Sequence, residues 1–257
     1  MNRFHVLPFF SFAALLWSYD PAVAQSASAL EAARTALQAN ELAKAAVLLE
    51  PLTSADSKDA AAFCLLSQVR LAQHNTPEAV VQAEKATALD ATKPAYFSQL
   101  GVALGQRIGE VDFMEQAVMS GKLRKAFATA VELDPNDISG LIGLARFYTF
   151  APEIAGGSLE KAKEFAQRVQ HINPVLGEIE LGNIAEHDEQ YAEALGHFEA
   201  AAKRNPADAW TQHLCGRTLA KLGKKNEARA RFETALRLSP GLDAAKKSLA
   251  ELDASLP

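Results

Sequence analysis

The chain has 257 residues, of which 49% are apolar and only 7% aromatic, and it carries a formal charge of −5. That slightly acidic balance argues against a nucleic-acid partner. The low share of aromatic side chains suits close-packed helices better than strands. No stretch alternates with period two for long enough to need a sheet, so the expected fold is all-α.

Arg3 and His5 precede an apolar run from Val6 to Trp17, and Ala22-Val23-Ala24 offers small residues for cleavage. This is the outline of a secretory signal over residues 1–24. The run is shorter than the about 20 residues of a spanning helix. After cleavage the chain is expected to have no transmembrane segment and to be exported, periplasmic or secreted.

The remaining elements follow a frame that is clearest between Leu181 and Pro240. Gly182, Ala194, Phe198, Ala201 and Pro206 return 34 residues later as Gly216, Ala228, Phe232, Ala235 and Pro240. Projected backwards, the frame gives six units, at about 26–59, 60–93, 94–137, 138–174, 175–208 and 209–242. In the first, Leu49 stands where Phe is expected, and Pro51 should end the second helix early. In the second, Phe63, Leu66, Ala79 and Ala86 are in register, and Thr76-Pro77-Glu78 starts a helix. The third starts with Phe97, Leu100 and Gly101, but Phe127, Ala130 and Pro135 come ten residues late. The surplus lies within 107–122, as a longer pair of helices or as a lid.

The fourth unit is also longer than the period, and its surplus falls at Ala151-Pro-Glu-Ile-Ala-Gly-Gly-Ser158. Pro152 should end one helix, the glycines permit a reversal, and Ser158 can cap the next helix. Amides at this helix start could hold an anion, but a bend is the favoured reading because the loop has no Lys or Arg. The fifth and sixth units are regular. A last helix over about 242–256 should close the stack with a polar outer face.

The period and the order of these residues resemble the tetratricopeptide repeat, whose pattern is W-x2-L-G-x2-Y, A-x3-F, P. The long third unit, LDPND at 133–137 and APEIAGGSLEKA at 151–162 narrow the likeness. They are similar to exported bacterial tetratricopeptide proteins with an AP-x-I-x-GGS turn and, remotely, to the regulator-of-microtubule-dynamics repeat family. The resemblance implies a right-handed superhelical solenoid of about six helix–turn–helix units plus a C-terminal capping helix. It also implies that first helices line a concave groove. In register, that wall receives Ile142, Arg146 and Thr149, then Leu176, Ile179 and Asn183, then Trp210, His213 and Arg217, with Phe150 one residue beyond.

Arg146, Asn183 and Arg217 occupy equivalent places, with Ile142, Ile179 and His213 a turn away and Trp210 beside them. A row of this kind suits an extended or helical segment whose carboxylates meet the arginines. Asn183 and Arg217 match the carboxylate-clamp members of the repeat family, but Ile142 and His213 stand where those members carry lysine. Reversing the charge of both arginines is expected to abolish partner capture without moving the melting temperature.

Signatures of catalysis are missing: no HExxH, P-loop, GxSxG or paired CxxC occurs. No cofactor or metal is expected, and Glu186-His187-Asp188-Glu189 reads as a solvated turn. Cys64 and Cys215 fall four units apart, beyond the roughly 7 Å limit between the Cα atoms of a disulfide, so two buried free thiols are expected. Charge is uneven, with 14 basic and 23 acidic residues over 25–198 but 11 and 7 over 199–257.

The function expected from these features is an exported, non-enzymatic scaffold that binds a protein or peptide segment of the cell envelope in its groove. The alternative is a carrier of a lipid or other apolar small molecule.

Overall fold

The structure is a computed structural model and describes residues 21–254. All but the last four residues of the expected leader, and the last residues of the expected final helix, lie outside the described residues. Thirteen α-helices are described, and successive helices pack as neighbours. The pairs are α1 (Pro21–Gln38) with α2 (Leu42–Leu49), α3 (Ala60–Ala72) with α4 (Thr76–Leu89), and α5 (Pro94–Ile108) with α6 (Phe113–Leu133). Then come α7 (Ile138–Phe150) with α8 (Leu159–Ile172), α9 (Pro174–His187) with α10 (Tyr191–Arg204), and α11 (Ala209–Lys221) with α12 (Lys225–Leu238). The last helix, α13 (Asp243–Ala254), packs against α12 and α11.

Local chemistry sets the helix ends. Asp59, Asn75, Asp112, Asp137, Ser158, Asn173 and Asp208 each accept a backbone amide from the first turn of the helix that follows, satisfying a donor that the helix leaves unpaired. Pro51 lies just beyond α2, where the chain tightens into a short 3-10 turn at Glu50–Leu52. In the third pair, α6 takes 21 residues and α5 only 15. The surplus therefore lengthens mainly the second helix, because Asp112 caps α6 through the Glu115 amide at 3.0 Å.

The core is built at the glycine–phenylalanine contacts of the repeat. Phe198 and Phe232 are fully buried. A Cβ placed on Gly182 would lie 2.5 Å from the Phe198 ring, and one on Gly216 would lie 2.6 Å from that of Phe232. Phe127 closes over Gly101 of its own unit and Gly143 of the next in the same way. The aromatic ring thus sits where a first helix has no side chain, which brings the helices into direct contact. Cys64 and Cys215 are free and buried, and burial pushes each thiol up to about 11. Both serve as small apolar filler.

First helices of successive units touch one another at α1–α3, α3–α5, α5–α7 and α7–α9, whereas the described second helices have no comparable contact. A stack joined more closely on one side curves toward that side. From α1 to α9 the first helices therefore form its inner wall, and α11 joins it where a depression is lined by α7, α9 and α11 together.

Candidate functional site

Two depressions lie on this wall. One, of about 700 Å³, is bounded by α5, α6, α7 and the turn after α7. The other, of about 590 Å³, is bounded by α7, α9 and α11. Arg146 and Phe150 line both, so the two adjoin at these side chains. Of the residues placed on the wall by register, Arg146, Ile179, Asn183, Trp210 and Arg217 line the second depression, and Ile142 lines the first with Arg146. Ile179 is largely core, 8% exposed, and forms the floor. Phe150, 61% exposed, and Trp210, 45% exposed, stand on the rim, with His187 edge-on to Phe150 at 5.2 Å.

His213 and Thr149 do not face the groove. His213 is 3% exposed, and its Nε2 lies 3.1 Å from Ser248 Oγ on α13. Its ring packs against Trp210 and Phe232. The final helix covers the place that register gives to the wall. Burial, with Arg217 nearby, holds the imidazole below its ordinary pKa. Thr149 is also buried, and its hydroxyl donates to the Ala145 carbonyl.

The two arginines are already paired. Arg146 donates from Nε to Glu180 at 3.1 Å and from Nη2 at 2.6 Å. Arg217 donates from Nε to Glu186 at 3.0 Å and from Nη2 to the other carboxylate oxygen. Hydrogen bonding to Glu180 raises the pKa of the Arg146 guanidinium further. Glu180, Asn183 and Glu186 are spaced three apart on α9, so one helix stripe clamps an arginine from each neighbouring unit. This bidentate geometry fixes each guanidinium plane and leaves its Nη1 turned away from the carboxylate.

Glu180 and the pairing of Glu186 with Arg217 escaped the sequence reading. The three-residue spacing of the two glutamates about Asn183 was the available signal. Glu186 is also not part of a solvated turn, since it lies in the last turn of α9 and holds Arg217. The charge-reversal expectation changes too, because a carboxylate at either arginine position would face a buried or half-buried glutamate. Reversal should therefore lower the melting temperature.

The turn at 151–158 is a structural bend. Gly156 has φ +94°, and a Cβ on Gly157 would collide with the Ala151 carbonyl. The amides of Gly157 and Ser158 donate to the carbonyls of Pro152 and Tyr148, so neither is left for an anion. Among the described residues, no group of three His, Cys, Asp or Glu side chains is placed to hold a metal ion. No helix there is long and apolar enough to cross a membrane.

Residues 185–253 match the tetratricopeptide repeat family. The fold is a tetratricopeptide-repeat solenoid. It is similar to PilW, a widely conserved type IV pilus biogenesis factor, with TM-score 0.68 and 14% identity over 90% of this chain and 100% of that one. It is likewise similar to Pseudomonas aeruginosa pilF, with TM-score 0.62 and 16% identity over 90% of this chain and 100% of that chain. A third is TTC0263, a thermophilic tetratricopeptide protein of Thermus thermophilus, with TM-score 0.63 and 16% identity over 75% of this chain and 97% of that one. No curated protein matches the sequence. Tetratricopeptide repeats are non-enzymatic scaffolds, and their extended surfaces engage other proteins.

Proposed function

We propose that this tetratricopeptide protein is exported and holds a segment of a cell-envelope protein against its inner wall between α5 and α11. The observation that carries this reading is that the two depressions adjoin at Arg146 and Phe150. Two adjoining depressions along four first helices suit a chain better than a compact ligand. Phe150 and Trp210 supply exposed aromatic contact, and Asn183 lies between the two fixed guanidinium groups.

Affinity capture from the organism's own envelope with the chain from residue 25 onward tests it. Wild type should retain a partner that a Phe150→Ala/Trp210→Ala double variant does not. Both side chains are exposed, so the variant should keep its helix content. Equal capture by the two proteins would contradict the groove reading.

A second reading, a carrier of an apolar small molecule, is favoured by the size and lining of the α5–α6–α7 cleft. Its volume lies within the range of about 300–1,000 Å³ usual for small-ligand pockets. Native mass spectrometry of gently purified protein decides it, since a carrier retains its ligand and an empty chain speaks against one.

A further inference from the structure

The α5–α6–α7 cleft exists because the chain twice departs from its 34-residue period. The lengthened part of α6 contributes Gln116 and Ser120, and the long turn after α7 contributes Ala151, Pro152 and Ala155. A unit of regular length would have neither wall. The apolar lining comes from residues such as Val102, Ile108, Ile142, Phe147 and Phe150.

Charge decides what this cleft accepts. Among the described residues, Arg146 is the one charged member of the lining, and Glu180 neutralises it through two hydrogen bonds. A carboxylate entering the cleft would lose water beside a guanidinium that already has its counter-ion, and desolvating a charge without new pairing is costly. A neutral carbonyl meets no such penalty. It can still accept from Nη1, a donor of the guanidinium fork that makes no hydrogen bond to the described residues.

We infer that the cleft is the anchor site of the bound segment and selects an uncharged one. Large apolar side chains of the partner enter between α5, α6 and α7, and a main-chain carbonyl beside them accepts from Arg146 Nη1. From Arg146 the segment continues along the second depression toward Trp210. This assignment rests on the groove reading above. It replaces acidic recognition, which two unpaired arginines would have favoured, with apolar recognition.

Panning a random heptapeptide phage library on the immobilised chain tests the inference. Enriched peptides should carry at least two large apolar side chains with no excess of Asp or Glu. Synthetic copies should bind about tenfold more weakly to Ala155→Trp and to Val102→Trp, as expected when a central anchor pocket is filled. Raising NaCl from about 50 to 300 mM should change their affinity by less than about twofold, since no exposed ion pair is formed. Ala155 lies in an exposed turn, so its variant should fold even if Val102→Trp disturbs α5. Enrichment of acidic peptides, or unchanged binding to a folded Ala155→Trp variant, overturns the inference and leaves the groove reading standing. Failure to enrich any peptide overturns both.

Discussion

Glu180 leaves 3% of its side chain exposed, while its partner Arg146 leaves 56%, and this asymmetry fixes what each contributes. Removing the arginine strands a buried carboxylate, whereas removing the glutamate frees a cation that can still reach water. Arg146→Ala should therefore cost about 2 kcal/mol, between the values for exposed and fully buried pairs. Glu180→Ala should cost less, and the double variant should recover part of the loss. Urea unfolding of the three proteins measures this, and equal losses for the two single variants would argue against the asymmetry. The register of the repeat put Arg146 on the wall, where it lines both depressions. It was silent on Glu180, because a periodic frame assigns positions within a unit and not the partners that side chains find across units.

His213 shows another limit of register. Its position belongs to the wall, but α13 packs over it, and the angle at which a final helix folds back has no periodic signature. The depressed pKa of this histidine has a consequence for stability. Between its ordinary value near 6.5 and its lower folded value the unfolded chain binds the extra proton. His213 therefore costs no stability above pH about 6.5, and stability falls as the pH drops below that value. Thermal melts between pH about 7 and 5 should show a smaller decline for His213→Gln than for wild type. An identical decline would assign the acid sensitivity to other groups.

Among the elements, the glycine–phenylalanine contact was the most legible feature, since Gly182 and Phe198 repeat as Gly216 and Phe232. Alanine in place of a helix glycine ordinarily gains about 1 kcal/mol. At position 182 the new methyl would meet the Phe198 ring at 2.5 Å, and overpacking of this kind costs about 1–3 kcal/mol. Gly182→Ala should therefore destabilise, whereas the same change at Gly196, with open space around it, should stabilise. Denaturant midpoints for the two variants compare them directly. The lengthened third unit was legible in its size but not in its division between helices. Asp112 and Glu115, three apart ahead of an apolar run, form the helix-start signal that places the surplus in α6. At the turn 151–158, Pro152, two glycines and Ser158 were enough to predict the bend and its cap, because each acts through local backbone geometry.

At the scale of the whole molecule, the thirteen described helices stack so that each unit meets only its neighbours, and stability is approximately a sum of such contacts. The 34-residue period carries this architecture openly, since it repeats the small and aromatic residues that let helices meet. The cleft was not legible as a cleft. It arises where two irregularities, in α6 and after α7, happen to flank the same pair of first helices, and only the packing brings them together. The period gives Phe150, Trp210 and Arg146 their places on the wall, but not the pairing with Glu180 that neutralises Arg146.

On the proposed reading the inner wall, and not the outer helices, meets the partner. Site-specific photocrosslinking in cells tests it most directly, with a benzophenone amino acid placed at Phe150 or at Val81, an exposed residue of α4. A discrete crosslinked species should form from position 150 and none from position 81. Adducts from position 81 with none from position 150 would contradict it.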